Sequence, residues 1–116
     1  MLEVTFFRDS HNRLSSVFAG GHAEAGEYGE DLVCAAVSAV LQAARLGLQE
    51  YAKVALEVTQ RPGELRLAWP QGSRGDASVK AIVATAEMAV RQIAGQYPGH
   101  VSVRTVVAGE LPDQDG

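Results

Sequence analysis

Between Leu32 and Glu50 the chain runs nineteen residues without a proline, rich in alanine and leucine, with its one glycine at Gly47. A run of that composition and length favours the α-helix over any other backbone state. The polar residues within it fall at Cys34, Ser38, Gln42, Arg45 and Gln49, spaced by four, four, three and four. At about 100° per residue they make a single stripe on a cylinder otherwise built of Ala, Val and Leu. The helix is therefore expected to be buried over most of its surface and to meet water or a ligand along that stripe. Asp31 immediately precedes the run and is expected to cap it, since its carboxylate can accept the N–H groups that a first turn leaves unpaired. Cys34, the only cysteine of the chain, then stands in the first turn on the polar stripe, where open N–H groups and the positive end of the helix dipole favour a thiolate. Asp31 works against this, because a carboxylate one turn away repels a thiolate. A lone cysteine on an alanine-rich helix also has a plain reading as a small hydrophobe.

The segment before the helix carries Gly20, Gly21, Gly26 and Gly29, a loop free to adopt backbone angles that other residues avoid. Loops of this kind over a helix start often gate ligands and also serve as simple connections. His22 stands near its beginning, with eleven residues between it and Cys34. A loop that folds back can set imidazole against sulfur, and a histidine in reach of a thiol can take its proton and later protonate a leaving amine, the pairing that acyl transfer requires. Glu24, Glu27, Glu30 and Asp31 crowd four carboxylates around that locus. They read equally as a solvated acidic loop or as a field that draws in a basic peptide and stabilises a protonated His22.

The remaining chain supplies a sheet and a second helix. Leu2 to Arg8 alternates as a strand, Asp9-Ser10-His11-Asn12 is turn chemistry with His11 in solvent, and Leu14 to Ala19 returns as the hairpin partner. Lys53 to Thr59 and Glu64 to Trp69 alternate about a turn at Gln60-Arg61-Pro62-Gly63. Asp76 to Ala94 carries Val79, Ile82, Val83, Ala86, Val90 and Ile93 as a conventional amphipathic stripe, which Gly95 and Pro98-Gly99 are expected to stop. His100 to Val107 is the last strand, and the polar residues from Ala108 onward are expected to fray. The order ββαββαβ implies an α+β fold, a single mixed sheet with two packed helices, in one domain spanning residues 1–116. Phe7, Tyr28 and Trp69 are each suited to a pocket or to the core. The surplus apolar surface of the first helix faces either the second helix or another subunit, and the expectation here is a homodimer.

Composition narrows the function. A formal charge of −4 and an isoelectric point near 5.3 argue against a partner of naked nucleic acid, which calls for a basic face. A single cysteine forms no internal disulfide and fits a reducing, cytoplasmic setting. Glu3, Arg8 and Asp9 interrupt any secretory signal pattern, and no apolar run is expected to reach membrane-spanning length. Cys34 and His22 alone supply too few soft ligands at any recognised zinc spacing, so no metal or cofactor is expected.

The run Gly21-His22-Ala23, then Gly29, then Asp31-Leu32-Val33-Cys34-Ala35-Ala36-Val37-Ser38 resembles the signature of the bacterial ribosomal-processing cysteine proteases, the Prp family, whose members have about this whole length. Leu32 stands where isoleucine is commoner in that signature, and the stretch from Glu24 to Gly29 is of the variable kind. The resemblance implies a cysteine endopeptidase that removes a short N-terminal extension from the twenty-seventh large-subunit ribosomal protein, with a homodimer as a pattern also known in the family. It implies Cys34 as nucleophile and His22 as general base and acid, while Gly21, Asp31 and Ser38 match further motif positions. The chemistry it implies is sulfur attack on the scissile carbonyl, an oxyanion met by N–H groups at the helix start, and His22 protonating the departing amine. Ser38 then either hydrogen-bonds sulfur or substrate or bonds back to the Cys34 carbonyl, and Asp31 caps the helix with orientation of His22 as a second role. Two other classes fit the residues: a redox-sensing thiol, for which His22 is dispensable, and a non-enzymatic ribosome-associated module, which leaves the His–Cys pairing without a purpose.

Overall fold

In a computed structural model of the protein, residues 1–21 and 28–108 are described, with the side chains of residues 28–31 excepted. Strands β1 (Leu2–Arg8) and β2 (Leu14–Gly20) lead to helix α1 (Tyr28–Leu46), which runs into a π-helical turn at Gly47–Tyr51. Strands β3 (Glu57–Arg61) and β4 (Glu64–Ala68), a short 3-10 turn at Gln71–Ser73, helix α2 (Ala77–Gln96) and strand β5 (Val101–Val107) complete the chain. The strands form one sheet in the order β3-β4-β2-β1-β5. All neighbours are antiparallel except β1 and β5, which run parallel, and α2 carries the chain from β4 across to β5. This is the α+β arrangement that the alternation of patterns implies.

Strand register explains why both helices share one face. Val4 pairs with Ala19 and with Val103, Phe6 with Val17, Ala19 with Leu65, and Val17 with Leu67. Period-two alternation sends all of these to the same side. There they join Val33, Val37 and Leu41 of α1 and Val79, Val83 and Val90 of α2 in a single core. The opposite side carries Thr5, Phe7, Ser16 and Phe18, so Phe7 is half-buried on the outer face, away from both helices. The Phe18 ring lies over Gly20, where a Cβ would stand 2.7 Å from it. Trp69 is a core residue, 2% exposed, and its indole N–H donates to the Leu14 carbonyl at 2.7 Å.

At the far end of β1 the turn is locked by Asp9, only 3% exposed. Its carboxylate accepts the backbone N–H groups of His11 (2.8 Å) and Arg13 (3.0 Å), together with the guanidinium groups of Arg13 and Arg74, each at 3.2 Å. Burial by itself pushes this carboxyl up, but the Arg13 and His11 backbone donors, the Arg74 hydrogen bond and the Arg13 charge together hold it below its ordinary value. Asn12 takes the left-handed conformation (φ 62°) that this turn requires.

Several expectations are corrected. Helix α1 begins at Tyr28, so Asp31 is its fourth residue and Cys34 its seventh; Asp31 does not cap it. Acidic residues are favoured in the first turn of a helix as well as at its cap. Helix α1 is also less buried than its composition suggests. Val33, Val37, Leu41 and Ala44 face the core, whereas Leu32 (54% exposed) and Leu46 (60%) face outward, as do Ala35, Ala36, Ala39 and Ala43. Alanine is there for helix propensity rather than for burial. By length and mean hydropathy (1.5), the 20 residues Leu32–Tyr51 are long and apolar enough to cross a bilayer, contrary to expectation; in this fold they pack one face on the sheet.

The π-helical turn, followed by Lys53 at φ 58°, delays β3 to Glu57. Gly95 does not stop α2, which continues to Gln96 under the N-cap of Asp76, whose carboxylate accepts the N–H groups of Ser78 and Val79. Gly47 permits close approach of the helices, since a Cβ there would stand 3.2 Å from Ile82.

Candidate active site

Where α1 leaves the sheet edge, a groove of ≈ 180 Å³ opens between its polar stripe and the β3–β4 hairpin. The helix contributes Cys34, Ser38 and Gln42 to one wall, and Gln60, Arg61 and Glu64 form the other. Between them lies an apolar floor of Leu2, Ala19, Val37, Leu41 and Leu65. The stripe read from the sequence is therefore real as a surface. Cys34 is half-buried, Ser38 exposed, and Gln42, Arg45 and Gln49 half-buried. Cys34 thus combines partial exposure with a position on a concave wall, the setting in which a thiol can meet a substrate.

Gly21 lines the same groove and is the residue that precedes His22 in the chain. Its φ is +77°, and an added Cβ would stand 3.0 Å from the Met1 carbonyl oxygen, so a side chain is strained here twice over. The Gly21 N–H donates to the Gly63 carbonyl at 3.1 Å, with Gly63 also at positive φ (80°). The hairpin tip thereby fixes the end of β2 at the groove. This bond also occupies the Gly21 N–H, which is not an open donor for a substrate oxygen. His22, Glu24 and Glu27 lie outside the described residues, as do the side chains of Glu30 and Asp31.

The helix start is placed differently from expectation. A helix leaves its first four N–H groups unpaired, and this helix begins at Tyr28. Cys34 lies beyond them, so the open donors stand about one turn before the sulfur rather than around it. Among the described residues no group of three His, Cys, Asp or Glu side chains is arranged to hold a metal ion.

One feature of the groove escapes sequence reasoning. The Gln60 side-chain oxygen accepts from Arg45 Nη1 at 3.0 Å and from Gln42 Nε2 at 3.4 Å, tying the helix stripe to the edge strand. Gln60 reads from sequence as a turn residue, whereas it stands in β3 facing Leu65. The available signal was the pair Gln42 and Arg45, one turn apart on a stripe that needs a polar partner.

A cleft with a thiol on its wall, apolar below and polar along both rims, has room for an extended peptide. A profile of the cysteine protease Prp family matches residues 1–102, and the chain belongs to that family; it is a cysteine protease. The crystal structure of SMU.848 from Streptococcus mutans is similar at a TM-score of 0.84 and 25% sequence identity, covering 93% of this chain and 99% of that one. The essential ribosomal processing protease Prp from S. aureus in complex with a substrate peptide gives 0.81 and 20%, covering 90% and 99%. Its complex with a covalently linked product peptide gives 0.77 and 18% over the same shares. A comparison with curated proteins gave no match.

Proposed function

We propose that this protease removes the short N-terminal extension of the twenty-seventh large-subunit ribosomal protein, with Cys34 as nucleophile and His22 as general base and acid. The observation that carries the reading is that Cys34 and Gly21, the residue leading into His22, line one groove. Support for the substrate comes from the S. aureus relative, described as a ribosomal processing protease and crystallised with a substrate peptide and with a covalently linked product.

In the proposed reaction His22 takes the Cys34 thiol proton and sulfur adds to the scissile carbonyl. The tetrahedral oxyanion collapses as the C–N bond breaks, and His22 gives its proton to the departing amine, leaving a thioester on Cys34. A water deprotonated by His22 then adds to the thioester, releasing the new carboxyl terminus and the thiol. Ser38, one turn beyond Cys34 on the groove wall, is a donor for the oxyanion or the substrate. Asp31, no longer a cap, keeps the role of orienting His22. Glu24, Glu27 and Glu30 supply a negative field for a basic substrate, and that attraction weakens with salt.

The outward-facing Leu32 and Leu46 of α1 support a homodimer through that helix, tested by sedimentation equilibrium, and the single cysteine supports a cytoplasmic setting. The substrate reading is tested by incubating the protein with a peptide spanning the extension and the residues after it. The parent protein should make one cut, and Cys34→Ala and His22→Ala should both be silent while remaining folded. Cleavage by Cys34→Ala would end the reading.

A further inference from the structure

The Gln42–Gln60–Arg45 bridge has a chemical consequence beyond holding the helix to the sheet. Arginine can only donate, so the Gln60 atom that meets Arg45 at 3.0 Å is the amide oxygen. The Gln42 atom facing that same oxygen at 3.4 Å must then be its NH2 group. The arginine donor thus sets the orientation of both amides. What remains is the Gln60 NH2, a donor, and the Gln42 oxygen, an acceptor. Among the described residues neither has a hydrogen-bond partner, and both residues line the groove that holds Cys34.

We infer that Gln42 and Gln60 form a backbone clamp for the peptide substrate, the Gln60 NH2 donating to a substrate carbonyl and the Gln42 oxygen accepting a substrate N–H. One donor beside one acceptor is the complement of what a single residue of an extended chain turns to one side. Because only main-chain groups are read, the clamp sets register along the groove and not side-chain identity. Its distance from the nucleophile follows from the helix. Gln42 stands eight positions beyond Cys34, about 12 Å at ~1.5 Å per residue. An extended peptide advances ~3.3 Å per residue, so the clamp grips a residue three or four positions from the scissile bond. The arrangement rests on the proposed substrate reading, in that Cys34 marks the point of cleavage.

The test uses peptide binding to the Cys34→Ala protein, measured by fluorescence anisotropy, and steady-state cleavage by otherwise native protein. The probes are the peptide spanning the extension and two truncations, each ending two residues from the scissile bond on one side. Gln60→Glu is the informative variant, because it keeps the acceptor for Arg45 and Gln42 but removes the NH2 donor. The expected result is a Kd raised about fivefold by Gln60→Glu and about tenfold by Gln60→Ala, the scale of one or two lost hydrogen bonds. KM should rise with kcat unchanged, and one of the two truncated peptides should show no sensitivity to either variant. A Gln60→Glu protein that binds the full peptide as the parent does would mean that the bridge is only structural, and the clamp would be wrong while the protease reading stood. Equal effects on all three peptides would overturn it as well. A parent protein that neither binds nor cuts the full peptide would remove the substrate reading and the clamp with it.

Discussion

Replacing Asp9 by Asn separates what holds this fold together from what the groove does. In the native turn one carboxylate oxygen takes the His11 and Arg13 backbone N–H groups and the other takes Arg13 Nε and Arg74 Nη1. Asparagine keeps one oxygen for the backbone donors, but its NH2 then faces two guanidinium groups, donor against donor. Each charge-assisted bond contributes about 1.5–3 kcal/mol. The Arg13 and Arg74 side chains are 31% and 17% exposed, so water recovers part of the loss. The net destabilisation should be about 3 kcal/mol, or roughly 10 °C in Tm for a chain of this size. The pH dependence has a definite sign. The folded carboxyl sits below its ordinary value, so its stabilisation is complete above the unfolded value of about 3.9 and is lost as pH falls through the lower folded one. Urea unfolding of parent and Asp9→Asn from pH 7 to pH 2.5 should therefore show a gap that is constant down to about pH 4 and narrows steadily below it. Leu2 lines the groove and Asp9 follows the opposite end of β1, about 20 Å away at ~3.3 Å per residue, so peptide cleavage well below the melting temperature should be unchanged. A gap under about 0.5 kcal/mol at pH 7, a tenth or less of ordinary domain stability, would refute the reasoning, as would a gap no smaller at pH 2.5 than at pH 7.

Two further substitutions have computable consequences. Trp69→Phe removes the 2.7 Å bond to the Leu14 carbonyl and leaves that oxygen buried, costing about 2 kcal/mol in thermal or urea unfolding. Gly21→Ala forces a Cβ into φ +77° and against the Met1 carbonyl oxygen. It should cost about 1–2 kcal/mol and, by shifting the chain that leads to His22, lower kcat for the peptide more than it raises KM; an unchanged kcat would detach Gly21 from the site.

The order of elements was legible because most strands contain an alternating stretch bounded by turn residues and each helix is long. Val4 and Phe6 alternating with Glu3 and Thr5, or Val79, Val83 and Val90 recurring through α2, point to one structure only. The stripe from Cys34 to Gln49 was legible for the same reason, and it is the feature that locates the groove. Less legible was whatever depends on partners distant in sequence. Nothing near Asp9 announces Arg74, and nothing near Gln60 announces Arg45, so both polar networks had to be seen in three dimensions. The start of α1 was misplaced because Asp31 suits both a cap and a first turn, and only backbone geometry separates the two. The burial of α1 was overstated because hydropathy counts Ala35, Ala36 and Ala39 as core-forming, whereas on a helix facing solvent they serve backbone propensity. The His22 loop falls outside the described residues, so the dyad rests on sequence, on Gly21 and on the family.

The claim on which the account turns is that the Cys34 sulfur becomes acylated during cleavage. Rapid quenching of the protein with its peptide in acid, followed by intact-mass and fragment analysis, tests it directly. The account predicts a transient adduct equal in mass to the N-terminal product less one water, carried by Cys34, lost on treatment with hydroxylamine and absent from Cys34→Ala. Efficient cleavage with no such adduct at any time point, or an adduct on another residue, would contradict it.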